Sequence, residues 1–189
     1  MELLKQKILS EGRALNEHVL LVDSFLNHQV DAGLMMKVGK EFARRFADAG
    51  VTRIVTIESS GIAPAAMTAL EMSLPMVIMK KSMSSILQED LLQTEVFSFT
   101  KNLSYQLTLK KRFIQPGDKV LVIDDFLANG EAAFGAARII EKAGAQVVGI
   151  GAVIAKAFQP GMQKLRNAGY RVEALAPVSR MGENLIEFE

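Results

Sequence analysis

The four apolar residues Val120–Ile123 constrain the fold of this chain more than any other segment. A strand that is apolar at every position, and not at alternate ones, is buried on both faces, and such strands belong to parallel sheets covered by helices. Asp124 and Asp125 follow directly, and a helical pattern runs from about Ala132 to Lys142. Because parallel strands need crossover connections, the segment predicts one strand–loop–helix unit of an α/β protein.

Helix and strand patterns alternate along most of the chain. A long helix is predicted from the N-cap residue Asp31 to Gly50, because apolar side chains recur there at helical spacing. The other predicted elements are a helix at Leu3–Glu11, strands at Val19–Val22 and Arg53–Ile57, a helix at Pro64–Met72, and strands at Pro75–Met79, Lys119–Asp124, Val147–Ala155 and Arg171–Leu175. This order predicts a doubly wound, mainly parallel sheet joined by right-handed crossovers.

The segment Ser82–Arg112 departs from the alternation. Two strand-like runs, Thr94–Thr100 and Tyr105–Leu109, flank the residues Lys101–Ser104, so the segment predicts a β-hairpin. Insertions of this length in a compact domain are usually lids over a site or disordered segments. Since the chain has no internal repeat and no proline-rich linker, we expect a single domain spanning residues 1–189.

Composition argues against several classes of function. The 22 Lys and Arg residues balance 21 Asp and Glu residues for a net charge of +1, so no broad attraction to nucleic acid or to an anionic membrane is expected. The chain has no cysteine, which excludes disulfides and a cysteine nucleophile. The N-terminus lacks the apolar core of a signal peptide, and no stretch approaches the roughly 20 apolar residues that span a bilayer. We therefore expect a cytoplasmic protein.

The residues after Asp125 predict an anion-binding turn. Most side chains in Ala128–Ala132 are short, so an anion can approach the backbone N–H groups, and the helix that follows adds its positive dipole end. Asp124 and Asp125 fall at the carboxyl end of a parallel strand, where open α/β sheets bind ligands. An isolated pair of aspartates is more often a turn or a helix cap. The flanking strand and turn favour a ligand site here.

An apolar strand, two acids and a small-residue turn resemble the phosphoribosyl pyrophosphate signature of the type I phosphoribosyltransferases. Within that family the chain resembles the bacterial enzymes that use xanthine, in the segments Val22–His28, Glu58–Pro64, Ile123–Gly130 and Phe158–Gly161. The resemblance implies transfer of ribose 5-phosphate from phosphoribosyl pyrophosphate to xanthine, which gives xanthosine 5′-monophosphate and pyrophosphate. It also implies a homodimer, and Mg²⁺ that is delivered with the donor and needs no metal cage in the protein.

The resemblance assigns two groups of residues to the donor. The acidic pair would hold the ribose hydroxyls and favour positive charge on the sugar, and the turn after Ile57 would bind pyrophosphate, with Lys80 and Lys81 as candidates to neutralise it. The loop after Leu127 lacks the threonines of many relatives, but an alanine-asparagine-glycine loop is similar to that of the xanthine enzymes. The residues assigned to the donor are Asp124, Asp125, Ala128, Asn129, Gly130, Glu131, Ala132, Ser59, Ser60 and Gly61.

For the base, the resemblance implies a pocket of four residues. Lys156 would contact an exocyclic oxygen of the purine, which suits xanthine and would not suit the amino group of adenine. Phe158 would stack on the ring. Leu20 and Asn27 would contact the base from a small hood, formed by about residues 1–30 with the C-terminal segment, and the hairpin at about residues 82–112 would be a flexible lid.

Two alternatives stay open on the residues alone. The first is an enzyme of the same class that prefers hypoxanthine, guanine or adenine; Lys156 argues against adenine, but nothing separates xanthine from the other oxopurines. The second is a non-catalytic, purine-responsive regulator with the same fold. Such regulators carry a DNA-binding appendage, and only about thirty residues precede the predicted core, so we expect an enzyme.

Overall fold

Helices and strands alternate through the computed structural model, which describes residues 1–82, 90–98 and 103–189. In chain order the elements are α1 (Glu2–Glu11), β1 (Arg13–Ala14), β2 (Leu20–Leu21), a π-helical turn (Asp23–Asn27), α2 (Ala32–Arg45), β3 (Arg53–Ile57), α3 (Ile62–Met72), β4 (Met76–Ser82), β5 (Leu91–Ser98), β6 (Leu103–Lys110), a 3₁₀ turn (Lys111–Phe113), β7 (Lys119–Leu127), α4 (Glu131–Lys142), β8 (Gln146–Lys156), α5 (Gly161–Asn167), β9 (Val172–Gly182) and β10 (Leu185–Phe188).

One eight-stranded sheet, in the order β10-β9-β8-β7-β3-β4-β6-β5, organises the protein. The five strands from β9 to β4 run parallel, whereas β10, β6 and β5 pair antiparallel with their neighbours. The predicted α/β fold with a mainly parallel sheet is confirmed. The chain leaves β3 toward β4 and leaves β7 toward β8 in the opposite direction, so the β3–β7 pair is a topological switch point, where such sheets bind ligands.

The side chains of β7 show why this strand is apolar at every position. Val120 and Val122 pack in the core layer that contains α4 and α5, while Leu121 and Ile123 pack in the layer that contains α2 and α3. All four are at most 1% exposed. Helices therefore cover both faces of the sheet, and burial of each such side chain contributes about 1.5–3 kcal/mol to stability.

Helix α2 is shorter than its apolar pattern predicted. Asp31 is its N-cap, as expected, because its Oδ1 accepts a hydrogen bond of 2.9 Å from the Leu34 N–H. The helix ends at Arg45, not at Gly50, and turns follow it. Phe46 is nevertheless fully buried, so an apolar side chain continues the helical spacing after the helical backbone has ended.

The predicted hairpin is present, and it extends the central sheet. Strands β5 and β6 pair with each other, and β6 pairs with β4. Strand β5 begins at Leu91, three residues before the predicted start. Residues 83–89 and 99–102 of the predicted segment lie outside the described residues. The apolar side chains of the hairpin that join the core layer of α4 are Leu92, Val96, Leu107 and Leu109.

The N-terminal residues contact the C-terminal strands. Helix α1 packs against β9, the Asn184 N–H donates to the Ala14 carbonyl at 3.4 Å, and the Lys5 ammonium donates to the Glu189 carbonyl. Strand β10, which the sequence pattern did not predict, pairs with β9 beside them. The two ends of the chain thus pack together at the edge of the sheet that β9 and β10 form.

Candidate active site

A cavity of about 530 Å³ opens at the carboxyl ends of β3 and β7, at the switch point of the sheet. Its walls come from the end of β7, from the loops that follow β3 and β7, and from the hairpin. The lining residues discussed below are Glu58, Ser59, Ser60, Lys81, Phe97, Leu103, Tyr105, Asp124, Asp125, Phe126, Ala128, Asn129, Gly130, Glu131 and Ala132.

Asp124 and Asp125 both line this cavity, although they are neighbours in one strand. The Asp125 N–H donates to Asp124 Oδ1 at 3.0 Å. Burial, and next the charge of Asp125, raise the pKa of Asp124 well above its ordinary value. Paired carboxylates in such a site can accept hydrogen bonds from hydroxyl groups and can supply negative charge beside a developing cation.

The loop Ala128–Ala132 forms a second wall, and all five of its residues line the cavity. Gly130 has φ +89°, a left-handed conformation that glycine adopts without steric cost. Its carbonyl accepts a 2.9 Å hydrogen bond from the Phe134 N–H as α4 begins. The first N–H groups of a helix have no partner within the helix and bind anions. This wall can therefore bind a phosphate group.

The loop after β3 forms the facing part of the site. Ser59 and Ser60 line the cavity, and the Glu58–Ser59 peptide bond is cis. Gly61 packs beside the acidic pair: a Cβ built on it would lie 2.9 Å from Asp124 Oδ1 and 2.5 Å from Thr56 Oγ1. A side chain at position 61 would therefore displace Asp124, which explains a glycine there without any direct ligand contact.

The hairpin contributes lining residues that sequence reasoning did not identify. Phe97, Leu103 and Tyr105 line the cavity, and the Lys81 Nζ lies 5.6 Å from the centre of the Tyr105 ring. Burial, and next the charge of Asp124, raise the pKa of Tyr105. The period-two spacing of Leu103 and Tyr105 was a usable signal, but only the pairing of β6 with β4 shows which face of the hairpin meets the site.

The side chains of Lys80 and Lys81, near the end of β4, have different contacts. Lys81 lines the cavity, whereas the Lys80 Nζ forms an ion pair with Glu58 at 3.0 Å. Glu58 also accepts a 2.6 Å hydrogen bond from the Lys81 N–H. Glu58 thus ties the loop after β3 to the end of the neighbouring strand.

The four residues predicted for the base lie outside the cavity lining. Lys156 ends β8, and its ammonium donates to the His18 carbonyl, two residues before Leu20. Its Nζ lies 6.0 Å from the centre of the ring of Phe126, a lining residue, and burial lowers the pKa of Lys156. The structure brings Lys156 close to the segment of Leu20, which is buried, while Asn27 and Phe158 are exposed.

The family follows from a direct match of the sequence. Residues 29–167 match the model of the phosphoribosyl transferase domain, which is more than half of the chain. The chain belongs to the phosphoribosyltransferase family. It is therefore a transferase enzyme, and the cavity at the switch point contains the acidic pair and the loop that carried the resemblance.

Curated relatives of this phosphoribosyltransferase match it over its full length. Xanthine phosphoribosyltransferase 1 of Clostridium botulinum is 57% identical over 188 residues, which cover 100% of this chain and 99% of the relative. Xanthine phosphoribosyltransferase of an Exiguobacterium species is also 57% identical, with coverage of 100% and 97%. The resemblance to the bacterial xanthine enzymes is confirmed.

Solved structures support the same fold at low sequence identity. The adenine phosphoribosyltransferase of Thermoanaerobacter pseudethanolicus has a TM-score of 0.75 at 20% identity and covers 91% of this chain and 98% of its own. That of Saccharomyces cerevisiae has a TM-score of 0.74 at 20% identity, with coverage of 93% and 99%. At such identity the likeness concerns the fold and not the base that is used.

Proposed function

We propose that this phosphoribosyltransferase converts xanthine and phosphoribosyl pyrophosphate to xanthosine 5′-monophosphate and pyrophosphate, as a step of purine salvage. The bond from the ribose anomeric carbon to the pyrophosphate oxygen breaks, a bond from that carbon to a purine ring nitrogen forms, and the nitrogen releases its proton to solvent. The main structural support for this reaction is that the acidic pair, the loop after β7 and the loop after β3 line one cavity. Xanthine is favoured by the names of the full-length relatives.

The donor is held along the carboxyl end of the sheet. The backbone N–H groups of Ala128–Ala132 bind the 5′-phosphate with the amide of Asn129, since helix N-termini bind such anions. Asp124 and Asp125 accept hydrogen bonds from the ribose hydroxyls and favour positive charge on the sugar as pyrophosphate leaves. Ser59 and Ser60 bind the pyrophosphate, and the ammonium group of Lys81, which also lines the cavity, neutralises part of its charge.

The base lies between the sheet and the N-terminal residues. Lys156 donates from its ammonium to an exocyclic oxygen of xanthine, and Phe158 stacks on the ring. Leu20 and Asn27 contact the base from residues 1–30, which we propose act as a hood together with the C-terminal strands. The contact of Lys156 with the His18 carbonyl supports this arrangement, because it joins the two proposed parts of the pocket.

Mg²⁺ enters the site with the donor. In the described ranges, no three His, Asp or Glu side chains are grouped so that they could hold a metal ion. The residues present fit a magnesium ion that keeps several waters and binds mainly to substrate phosphate oxygens, with Asp124 or Asp125 as a carboxylate ligand. When bound, the ion neutralises charge on the departing pyrophosphate.

Further expectations about the hairpin, the assembly and the location of the enzyme belong to this proposal. The hairpin acts as a lid through Phe97, Leu103 and Tyr105, because these residues line the cavity from the side of the hairpin. The enzyme is a homodimer of the cytoplasm, without a nucleic-acid or membrane partner. Among the described helices, none is both long enough and apolar enough to cross a membrane.

A panel of purines tests the choice of base. Release of pyrophosphate is measured with phosphoribosyl pyrophosphate, Mg²⁺ and xanthine, hypoxanthine, guanine or adenine in turn. We expect the highest kcat/KM with xanthine and the lowest with adenine. Efficient turnover of hypoxanthine without turnover of xanthine would reject the choice of base but not the reaction, and no release with any purine would reject both.

A further inference from the structure

The first residue of α5, Gly161, packs directly against the loop Ala128–Ala132, and the contact is between two backbones. The Gly161 N–H donates a 3.0 Å hydrogen bond to the Ala128 carbonyl. A Cβ built on Gly130 would lie 3.2 Å from the Gly161 Cα. Two glycines on separate segments therefore meet without an intervening side chain.

Gly161 leaves no room for a larger residue. A Cβ built on it would lie 2.2 Å from the Ala128 carbonyl oxygen, 2.7 Å from the Asn129 carbonyl carbon and 2.7 Å from the Gly130 nitrogen. All three atoms belong to the backbone of the loop, so no side-chain rotation can relieve the overlap. The atoms that would have to move are the ones that set the direction of the N–H groups in this loop.

We propose that Gly161 is a positioning residue, which fixes the backbone of Ala128–Ala132 in the conformation that binds the 5′-phosphate of the donor. This inference rests on the proposed function, because it concerns the phosphate site of the same cavity. Gly161 does not line that cavity, and it acts through the loop. The segment from Lys156, the last residue of β8, to Gly161 also contains Phe158, so one short segment holds two of the proposed base residues and supports the loop Ala128–Ala132.

The test is the substitution Gly161→Ala, with donor binding measured by calorimetry in the presence of Mg²⁺. We expect the Kd for phosphoribosyl pyrophosphate to rise by about tenfold or more, because loss of one or two backbone hydrogen bonds to an anion has this magnitude. In steady state the KM for the donor rises by a similar factor, while kcat at saturating donor changes by less than about threefold. A purely structural role would lower the Tm without raising the KM for the donor more than it changes kcat.

Gly12→Ala is the matched control. A Cβ on Gly12 would also meet a backbone atom, the Ile8 carbonyl oxygen, at 2.5 Å, but Gly12 lies between α1 and β1 and lines no part of the cavity. We expect a lower Tm for this variant with an unchanged Kd for the donor. A rise in Kd equal to that of Gly161→Ala would overturn the proposal, since any backbone overlap would then have the same effect.

A second variant keeps the test decisive if Gly161→Ala does not fold. Pro160→Gly adds no atom at the contact and removes the fixed φ of the residue before Gly161, so the turn relaxes and the Kd for the donor rises by about threefold. An unchanged Kd in folded Gly161→Ala, or in Pro160→Gly where the former is unfolded, refutes the positioning role. Failure of the unmodified enzyme to bind the donor refutes the proposed function instead.

Discussion

Asp124 and Asp125 are adjacent in the sequence, yet their surroundings differ. Asp124 accepts a hydrogen bond from the Asp125 N–H and packs beside Gly61. Burial is the main cause of its raised pKa, with the charge of Asp125 second. The carboxyl group of Asp124 therefore resists ionisation, and substitution of Asp124 should affect the stability of the protein in a pH-dependent way.

Asp125→Ala should reduce turnover far more than stability. The side chain lines the cavity, and loss of one preorganised electrostatic contact to a transition state lowers kcat by about 10²–10³-fold. Circular dichroism and kinetics on the same preparation check this. Asp48→Ala is the control, because Asp48 is an exposed carboxylate paired with Arg171, and it should leave kcat unchanged. Equal loss of kcat and of folded protein in Asp125→Ala would contradict the role.

Asp124→Asn should stabilise the ligand-free protein at neutral pH. Because the folded-state pKa of Asp124 is raised above its ordinary value of 3.8, the folded state binds more protons than the unfolded state between these two pKa values. The free energy of unfolding therefore falls as pH rises through that interval. Asparagine cannot ionise, so at pH 7 the Tm of Asp124→Asn should be higher than the Tm of the unmodified protein.

The pH dependence distinguishes this explanation from a packing effect. The Tm difference between Asp124→Asn and the unmodified protein should shrink as the pH is lowered toward 3.8, the ordinary pKa of the carboxyl group, because protonation of Asp124 removes the charge that burial disfavours. Thermal unfolding followed at several pH values measures it. A constant difference across the range would show that ionisation of Asp124 is not the cause.

Lys156→Ala should weaken use of the base and spare binding of the donor. The Nζ of Lys156 contacts the His18 carbonyl and lies 6.0 Å from the centre of the Phe126 ring, and Lys156 is not among the residues that line the cavity. Loss of a charged hydrogen bond costs about 1.5–3 kcal/mol, so kcat/KM for xanthine should fall by at least tenfold. The exposed Lys164→Ala serves as a control. A comparable loss of donor affinity in Lys156→Ala would remove this lysine from the base pocket.

At the scale of the elements, strand β5 is fixed to helix α4. A Cβ built on Gly135 of α4 would lie 2.4 Å from Val96 Cγ2, and Arg138 donates to the Thr94 hydroxyl at 3.2 Å and to the Glu95 carbonyl at 3.1 Å. The loop Ala128–Ala132 leads into the same helix. Strand β5 of the hairpin and helix α4, with the loop Ala128–Ala132 before it, are therefore parts of one packed layer.

A double-mutant cycle tests this packing. Gly135→Ala should destabilise the protein, although alanine favours helix, because its methyl group overlaps Val96. Val96→Ala should cost about 1–2 kcal/mol for the lost methyl groups. The double variant should lose about 1 kcal/mol less free energy of unfolding than the two single variants lose together, since the smaller residue at position 96 makes room for the new methyl group. Strict additivity in urea unfolding would show that the two residues do not touch.

The elements were predictable where local pattern decides them. The apolar run of β7 requires cover on both faces, and the Asp31 cap and the small-residue turn depend on nearby residues. Pairing between distant segments was not predictable in this way. The pairing of β6 with β4 and of β10 with β9 depends on which edges of the sheet are available. The residues of a strand alone do not determine this.

The residues of the candidate site were likewise predictable only where local sequence pattern decides them. The acidic pair and the loop after β7 were found because they are contiguous with a recognisable strand. Phe97, Leu103 and Tyr105 were missed, since their part in the cavity depends on the placement of the hairpin beside β4. The positions of Leu20, Asn27, Lys156 and Phe158 came from family resemblance, and their contacts with a base stay a prediction.

For the whole molecule, the order of the sheet assembles the site. The lining comes from distant parts of the sequence, which the order of β7, β3, β4, β6 and β5 in the sheet brings together: residues 58–60, 81, 97, 98, 103, 105 and 124–133. The near-zero net charge leaves recognition of a highly charged donor to these local groups. We therefore expect binding of the donor to depend on a few residues and not on the general electrostatics of the surface.

Isothermal calorimetry with phosphoribosyl pyrophosphate and Mg²⁺ tests the central claim most directly. We expect the unmodified protein to bind the donor with one site per chain, and Asp125→Ala to bind it more weakly under the same conditions. Subsequent addition of xanthine should release pyrophosphate. No heat of binding for the donor in folded protein, with Mg²⁺ present, would contradict the claim that the switch-point cavity holds an activated ribose.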